Sequence, residues 1–225
     1  MTRSARKSEE ERRADLIEAT IRVIGESGTL NVTAGQIAES AGVSPGLVFH
    51  YFHDKEGLFL AAMRSILTQY GSDVRRALAE SKTPDARLEA IAHASFGMTS
   101  FRREAISAWV NFYALALRSQ PARQLLDLYQ RRLHSNLVYA LRPKVCERAP
   151  DVARRIAGLI DGLYLRYALD TKTLRSGEAT LDGSEGARHV MRAIAAECTE
   201  IHENDDISIR DTDPDPRAPL AGPQE

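Results

Sequence analysis

Cysteine is scarce. The chain has two, Cys146 and Cys198, 52 positions apart, with no Cys-x-x-Cys spacing and no flanking histidine cluster. That argues against a zinc site or a disulfide framework and leaves free buried or half-buried thiols as the expectation. Net charge is equally small: 30 Lys plus Arg stand against 31 Asp plus Glu, giving −1, so no global field selects nucleic acid, membrane or acidic substrate. Long hydrophobic runs are missing too. The longest apolar stretch, Ile106 to Leu117, is interrupted by Ser107 and Asn111 and is too short to span a bilayer. Arg3, Arg6 and Lys7 lead into Glu9, Glu10 and Glu11 rather than an apolar segment, which is no signal peptide. A soluble cytoplasmic protein without a membrane partner is expected. Enzyme signatures are likewise absent: no Gly-x-Ser-x-Gly, Walker loop, His-Glu-x-x-His or glycine-rich dinucleotide turn occurs, and His93, His134 and His189 stand singly in helical patterns. The expectation is no catalytic residue, no metal and no cofactor.

What is present is helical periodicity. Apolar residues recur at Leu16, Val23 and Ile24, at Leu58, Ala62, Ile66, Tyr70 and Val74, and at Leu88, Ile91 and Phe96, while no segment alternates with period two. The 43% hydrophobic content suffices for a sizeable core. An all-α fold of about nine helices follows, broken at Gly28, Gly42, His53-Asp54, Pro84, Arg118 to Pro121, Pro150 and the loop from Thr171 to Ser184. The division expected is 1–55, 56–202, and a disordered acidic tail over 203–225, where four of the nine prolines sit and seven acids face only Arg210 and Arg217.

Residues 32–52, VTAGQIAESAGVSPGLVFHYF, carry two short helices with complete start signals. Thr33 and Gln36 form a capping box, and Val32 and Ile37 a hydrophobic staple. Ser44 is a second N-cap, Pro45 takes the first helical position, and Gly42 is free to close the first helix in the left-handed conformation. This is a helix-turn-helix. The second helix turns only Val48 and Phe52 inward, so its other face is free for a duplex groove. There Gly46 lets backbone approach phosphate, and Phe49, His50 and Tyr51 offer aromatic and polar atoms to base edges and phosphates. Lys55 begins the next helix, where the macrodipole disfavours a cation by about 0.3–1 kcal/mol; a phosphate contact would offset that, and solvation is the alternative. Residues 1–55 hold 7 basic and 8 acidic side chains, so binding has to rest on a few placed contacts and on dimeric avidity. Arg3, Arg6, Lys7, Arg12 and Arg13 form either a phosphate-facing arm or a solvated charge run.

Nine of the 14 aromatic residues lie between Phe96 and Tyr167. On one helix Trp109 and Tyr113 stack at i, i+4 with Phe112 beside them; on another Asp161 precedes Tyr164 and Tyr167 inside an apolar run. Rings plus a carboxylate suit a quaternary ammonium. The alternative is an aromatic core stripe, with Asp161 paired to Arg166 or to an arginine of a neighbouring helix.

The N-terminal helix, QIAESAGVSPGLVFHYFHDKEGL from Gln36 to Leu58 and the helical domain behind it resemble the TetR family of transcriptional regulators. Ala108 to Arg142 and LIDGLYLRYAL from Leu159 to Leu169 are similar to its choline-responsive, BetI-type subgroup. The resemblance implies a homodimer joined by a four-helix interface and reading a palindromic double-stranded operator. It places DNA contacts on Thr33, Ser44, Pro45, Gly46, Phe49, His50, Tyr51 and Lys55. It also implies repression of genes for choline uptake and glycine betaine synthesis, with release by choline bound at Trp109, Phe112, Tyr113, Asp161, Tyr164 and Tyr167. A regulator of other genes answering a different cationic or apolar effector is the nearest alternative. A purely architectural DNA-binding protein would have no use for a buried acid among aromatics.

Overall fold

The computed structural model describes residues 8–97, 103–168 and 183–210. Its helices are α1 Glu9–Ser27, α2 Ala34–Ala41, α3 Pro45–Phe52, α4 Lys55–Glu80, α5 Pro84–Ser95, α6 Arg103–Ala116, α7 Gln120–Val145, α8 Ala149–Ala168 and α9 Gly183–Arg210. A short 3-10 turn, Cys146–Arg148, joins α7 to α8. Among the described residues there is no strand, and no helix is long and apolar enough to cross a membrane.

Local signals set the ends of the first elements. Ser8 and Glu11 form a capping box on α1, and Gly28 ends it in the left-handed conformation with its N–H bonded to the Ile24 carbonyl. Leu16, Ile21 and Ile24 of α1 are buried with Ile37 of α2, Val48 and Phe52 of α3 and Leu58 of α4, giving the N-terminal helices a shared core. Arg22 of α1 reaches across to α2, donating to the Ser40 carbonyl at 2.8 Å and to its hydroxyl at 2.8 and 3.1 Å.

α4 runs from this head into the larger bundle, where it packs on α5, α6 and α7. α6 lies on both α1 and the α7–α8 layer. Against α1 the approach is so close that a Cβ on Gly25 would land on the backbone and side chain of Glu104. Asn111 of α6 donates to the Gly28 carbonyl at 3.2 Å, and the Ser119 hydroxyl at the start of α7 donates to Glu56 of α4 at 2.6 Å. At the far side Glu197 of α9 accepts both guanidinium arms of Arg155 at 2.5 and 2.6 Å, tying α8 to α9.

Both thiols are unpaired, but Cys146 is exposed, because it begins the 3-10 turn at positive φ rather than facing a helix interface. Residues 203–210 continue α9, and the rest of the acidic tail lies outside the described residues, as do most of the loop expected from Thr171 to Ser184 and the basic trio Arg3, Arg6 and Lys7.

Candidate functional site: a groove-reading helix and an aromatic cage

The two short helices are held by caps before they are held by packing. Thr33 accepts from the Gln36 N–H at 3.1 Å while Gln36 returns the bond to the Thr33 N–H at 2.7 Å. Gly42, at φ 66°, turns the chain, and the Val43 N–H bonds back to the Ala38 carbonyl at 2.9 Å. α3 then starts at Pro45 with Ser44 at its N-cap, yet the Ser44 side chain makes no cap bond. Its carbonyl takes the Leu47 N–H at 3.0 Å instead, which leaves the hydroxyl uncommitted on the surface. The expected capping role is thus carried by backbone.

α3 buries Val48 and Phe52 and leaves Ser44, Pro45, Gly46, Phe49 and His50 exposed; Phe49 is 50% exposed, an unusual position for a phenyl ring with no task on the surface. Tyr51 is half-buried, its ring edge-on to His50 at 5.2 Å. The outer flank of the helix is therefore open along its length. Among the described residues Lys55 meets no carboxylate; its ammonium lies 5.5 Å from the Phe59 ring centroid, so cation–π attraction offsets the macrodipole cost that sequence reasoning assigned to a phosphate. Arg13 lies 4.9 Å over Phe52, behind the reading helix rather than along an open arm.

The second site lies within the bundle. Trp109 and Tyr113 of α6 meet edge to face at 5.6 Å, as their spacing predicts. Two further walls come from helices the spacing does not connect: Tyr129 of α7 stands 4.9 Å from Trp109, and Tyr70 of α4 stands 5.5 Å from Tyr129. Tyr164 of α8 stacks on Phe96 at 5.6 Å and donates its hydroxyl to the Ser95 carbonyl. Tyr70, Trp109, Tyr129 and Tyr164 line, with Ile66 and Leu67, a cavity of about 30 Å³. That volume admits a water-sized body, not an organic cation, until the helices part. Phe112, Tyr113 and Asp161 are not among its lining residues; the Phe112 ring is 1% exposed in the core on another side of α6. The Tyr167 side chain lies outside the described residues.

Asp161 is the atom set that packing alone does not explain. Among the described residues no arginine reaches it, and its Oδ1 is buried without a hydrogen-bond partner, as is the Tyr113 hydroxyl. Burial pushes its pKa up, opposed in part by the hydroxyls of Tyr113 and Tyr129 turned toward it. Its charge is felt across the cage: burial and then the Asp161 carboxylate raise Tyr113. Burial also lifts Tyr70, to about 12. A buried acceptor left open costs about 1–3 kcal/mol, and an ionised one attracts a cation placed near it.

Residues 16–62 match the model of the tetR family of bacterial regulatory proteins, and residues 84–199 that of the BetI-type transcriptional repressor C-terminal domain. The chain is 48% identical over 159 residues to the HTH-type transcriptional regulator BetI of Brucella anthropi, covering 70% of this chain and 82% of that protein. It is 44% identical over 160 residues to the protein of that name in Rhizobium meliloti, covering 70% and 78%. The crystal structure of a transcriptional regulator from Pseudomonas aeruginosa superposes with a TM-score of 0.73 at 24% identity, over 89% of this chain and 96% of that one. A regulator from Saccharomonospora viridis, in complex with choline, gives 0.68 at 20% identity, over 83% and 97%.

Proposed function

This chain belongs to the TetR family of transcriptional regulators with a BetI-type repressor domain, and from that premise we propose that it is a cytoplasmic homodimer released from a palindromic operator by choline. Its targets in this reading are genes for choline uptake and its oxidation to glycine betaine; it carries no catalytic activity. The observation that bears most weight is Asp161, a half-buried carboxylate whose buried Oδ1 is open, facing the hydroxyls of Tyr113 and Tyr129, whose rings meet Trp109. A trimethylammonium offers full positive charge and no N–H donor, which suits ring faces and an ionised acid together. The choline held by the Saccharomonospora viridis regulator of the same fold supports that assignment.

DNA contacts fall on the exposed edge of α3 and its flanks: Thr33, Ser44, Pro45, Gly46, Phe49, His50, Tyr51 and Lys55. The effector contacts are Trp109, Tyr113, Asp161 and Tyr164, joined by Tyr70 and Tyr129. Transmission follows from the same helices. Opening a 30 Å³ cavity moves Tyr70, and with it α4, whose first turn adjoins α3. From Lys55 to Tyr70 the helix spans about 22 Å, a rigid lever between the two sites. A second route runs from Trp109 along α6 to α1. A coupling of about 1–3 kcal/mol changes operator affinity roughly 5- to 150-fold.

The test is a titration of the DNA upstream of its own gene at fixed salt, with and without choline. Trp109 is the only tryptophan, so its emission reports cage occupancy in the same samples. Choline at millimolar concentration is expected to shift that emission and weaken operator binding; a change in neither refutes the choline reading.

A further inference from the structure

Beside the cage, α4 and α7 enclose an open groove of about 480 Å³ that shares Leu67, Tyr70 and Tyr129 with it. The two spaces therefore share those rings as a common boundary. Three exposed arginines, Arg75, Arg131 and Arg132, are among its lining residues, and no Asp or Glu is. Among the described residues none of the three makes an ion pair or a hydrogen bond. Of the acids nearest in sequence, Asp73 is held by Gln69 and Arg76, and Asp127 is not among the lining residues. The Arg75 guanidinium folds back along α4, with Nη1 3.5 Å from where a Cβ on Gly71 would stand, one position from Tyr70.

Choline's hydroxyl end gives three arginines beside a cation cage nothing to neutralise. They suit a ligand whose far end is an anion, and guanidinium pairs with phosphate through two parallel N–H donors. Resting on the cage assignment made above, we propose that the groove is the anion-binding half of the effector site. The preferred effector is then a phosphocholine-type zwitterion, its trimethylammonium among Tyr70, Trp109, Tyr129 and Asp161 and its phosphate on Arg75 and Arg132. Leu78, Leu125 and Leu128 continue the groove beyond the arginines, so the same headgroup could arrive free or on a single alkyl chain.

Trp109 emission and calorimetry on the full chain decide the matter with three probes: choline, phosphocholine, and a short-chain alkylphosphocholine held below its micellar concentration. The wild type is expected to bind phosphocholine about tenfold more tightly than choline, a difference of about 1.4 kcal/mol. The double variant Arg75→Gln/Arg132→Gln is expected to lose that gain while holding choline as before, which also shows that it is folded. Tighter binding of the alkyl form points to a lipid-derived source, and equal binding to the free metabolite; both support the phosphocholine assignment. Phosphocholine binding no tighter than choline in the wild type overturns it, as does a double variant that keeps the full preference. If choline binds and phosphocholine does not, this proposal alone falls; if neither binds, the cage assignment falls with it.

Discussion

Replacing Asp161 with Asn separates two roles that its carboxylate combines, a burden on folding and a counter-charge for the effector. The buried oxygen has no partner and the acid's pKa is raised by its surroundings. A neutral amide removes the charge and can donate to the hydroxyls of Tyr113 and Tyr129, so the ligand-free variant should be more stable by about 0.5–2 kcal/mol at neutral pH. For a chain of this size 1 kcal/mol corresponds to about 2–4 °C in Tm. Effector binding should move the other way. A trimethylammonium about 5 Å from the carboxylate gains about 3 kcal/mol at an effective dielectric of about 20, so the choline Kd should rise by about two orders of magnitude.

The pH dependence follows with a definite sign. Because the folded-state pKa of Asp161 is raised, the folded protein takes up its proton first on acidification. This group's contribution to stability is therefore present below the ordinary carboxylate range and is lost as pH rises through the folded value. The difference between wild type and Asp161→Asn in a Tm-against-pH series should widen over that interval, while wild-type choline affinity falls as pH drops through it. Thermal melts and Trp109 emission measure both. An Asp161→Asn variant that is less stable at neutral pH, or that keeps choline affinity within threefold, would refute the reasoning.

Three further outcomes are expected. Thr33→Ala should lower stability by about 0.5–2 kcal/mol because its hydroxyl caps α2, whereas Ser44→Ala, which loses no cap bond, should melt like wild type and show its defect only in operator titrations. Gly25→Val should cost about 1–3 kcal/mol or more by forcing α1 off Glu104, and should leave the choline response of Trp109 emission intact while release of DNA by choline is weakened; unchanged release rules out transmission through α1. Lys55→Met keeps apolar packing on Phe59, so it should lower operator affinity about equally across sequences and reduce the salt slope by about 1; an unchanged slope removes Lys55 from the phosphate contacts.

The reading head was legible in the sequence because its determinants are local. Thr33, Gln36, Gly42 and Pro45 each act within four residues, so adjacency in the chain is adjacency in space. The Trp109–Tyr113 pair was legible for the same reason. Tyr70 and Tyr129 were not, since each reads alone as one more apolar position on a long helix, and only the packing of α4 against α7 brings them to Trp109. Phe112 shows the opposite error. Three residues from Trp109 it sits about 60° round the helix, and because α6 is covered on more than one side, that rotation hands the ring to a different neighbour. Asp161 was recognised as costly when buried, but the lack of an arginine beside it depends on where the surrounding helices settle. Lys55 was read against the helix dipole alone, and Phe59, one turn on, supplied the attraction that was missing.

The seat of α1 on α6 at Gly25 brings main chain against main chain, and this has a consequence for how the regulator works under changing ionic strength. Grip on a polyanion slackens as salt rises, whereas displacement passed through touching backbones has no counter-ion to lose. Ligand-free occupancy should therefore drift with the ionic medium while the ratio between bound and released states holds steady, as in a gear train whose torque varies but whose tooth count does not.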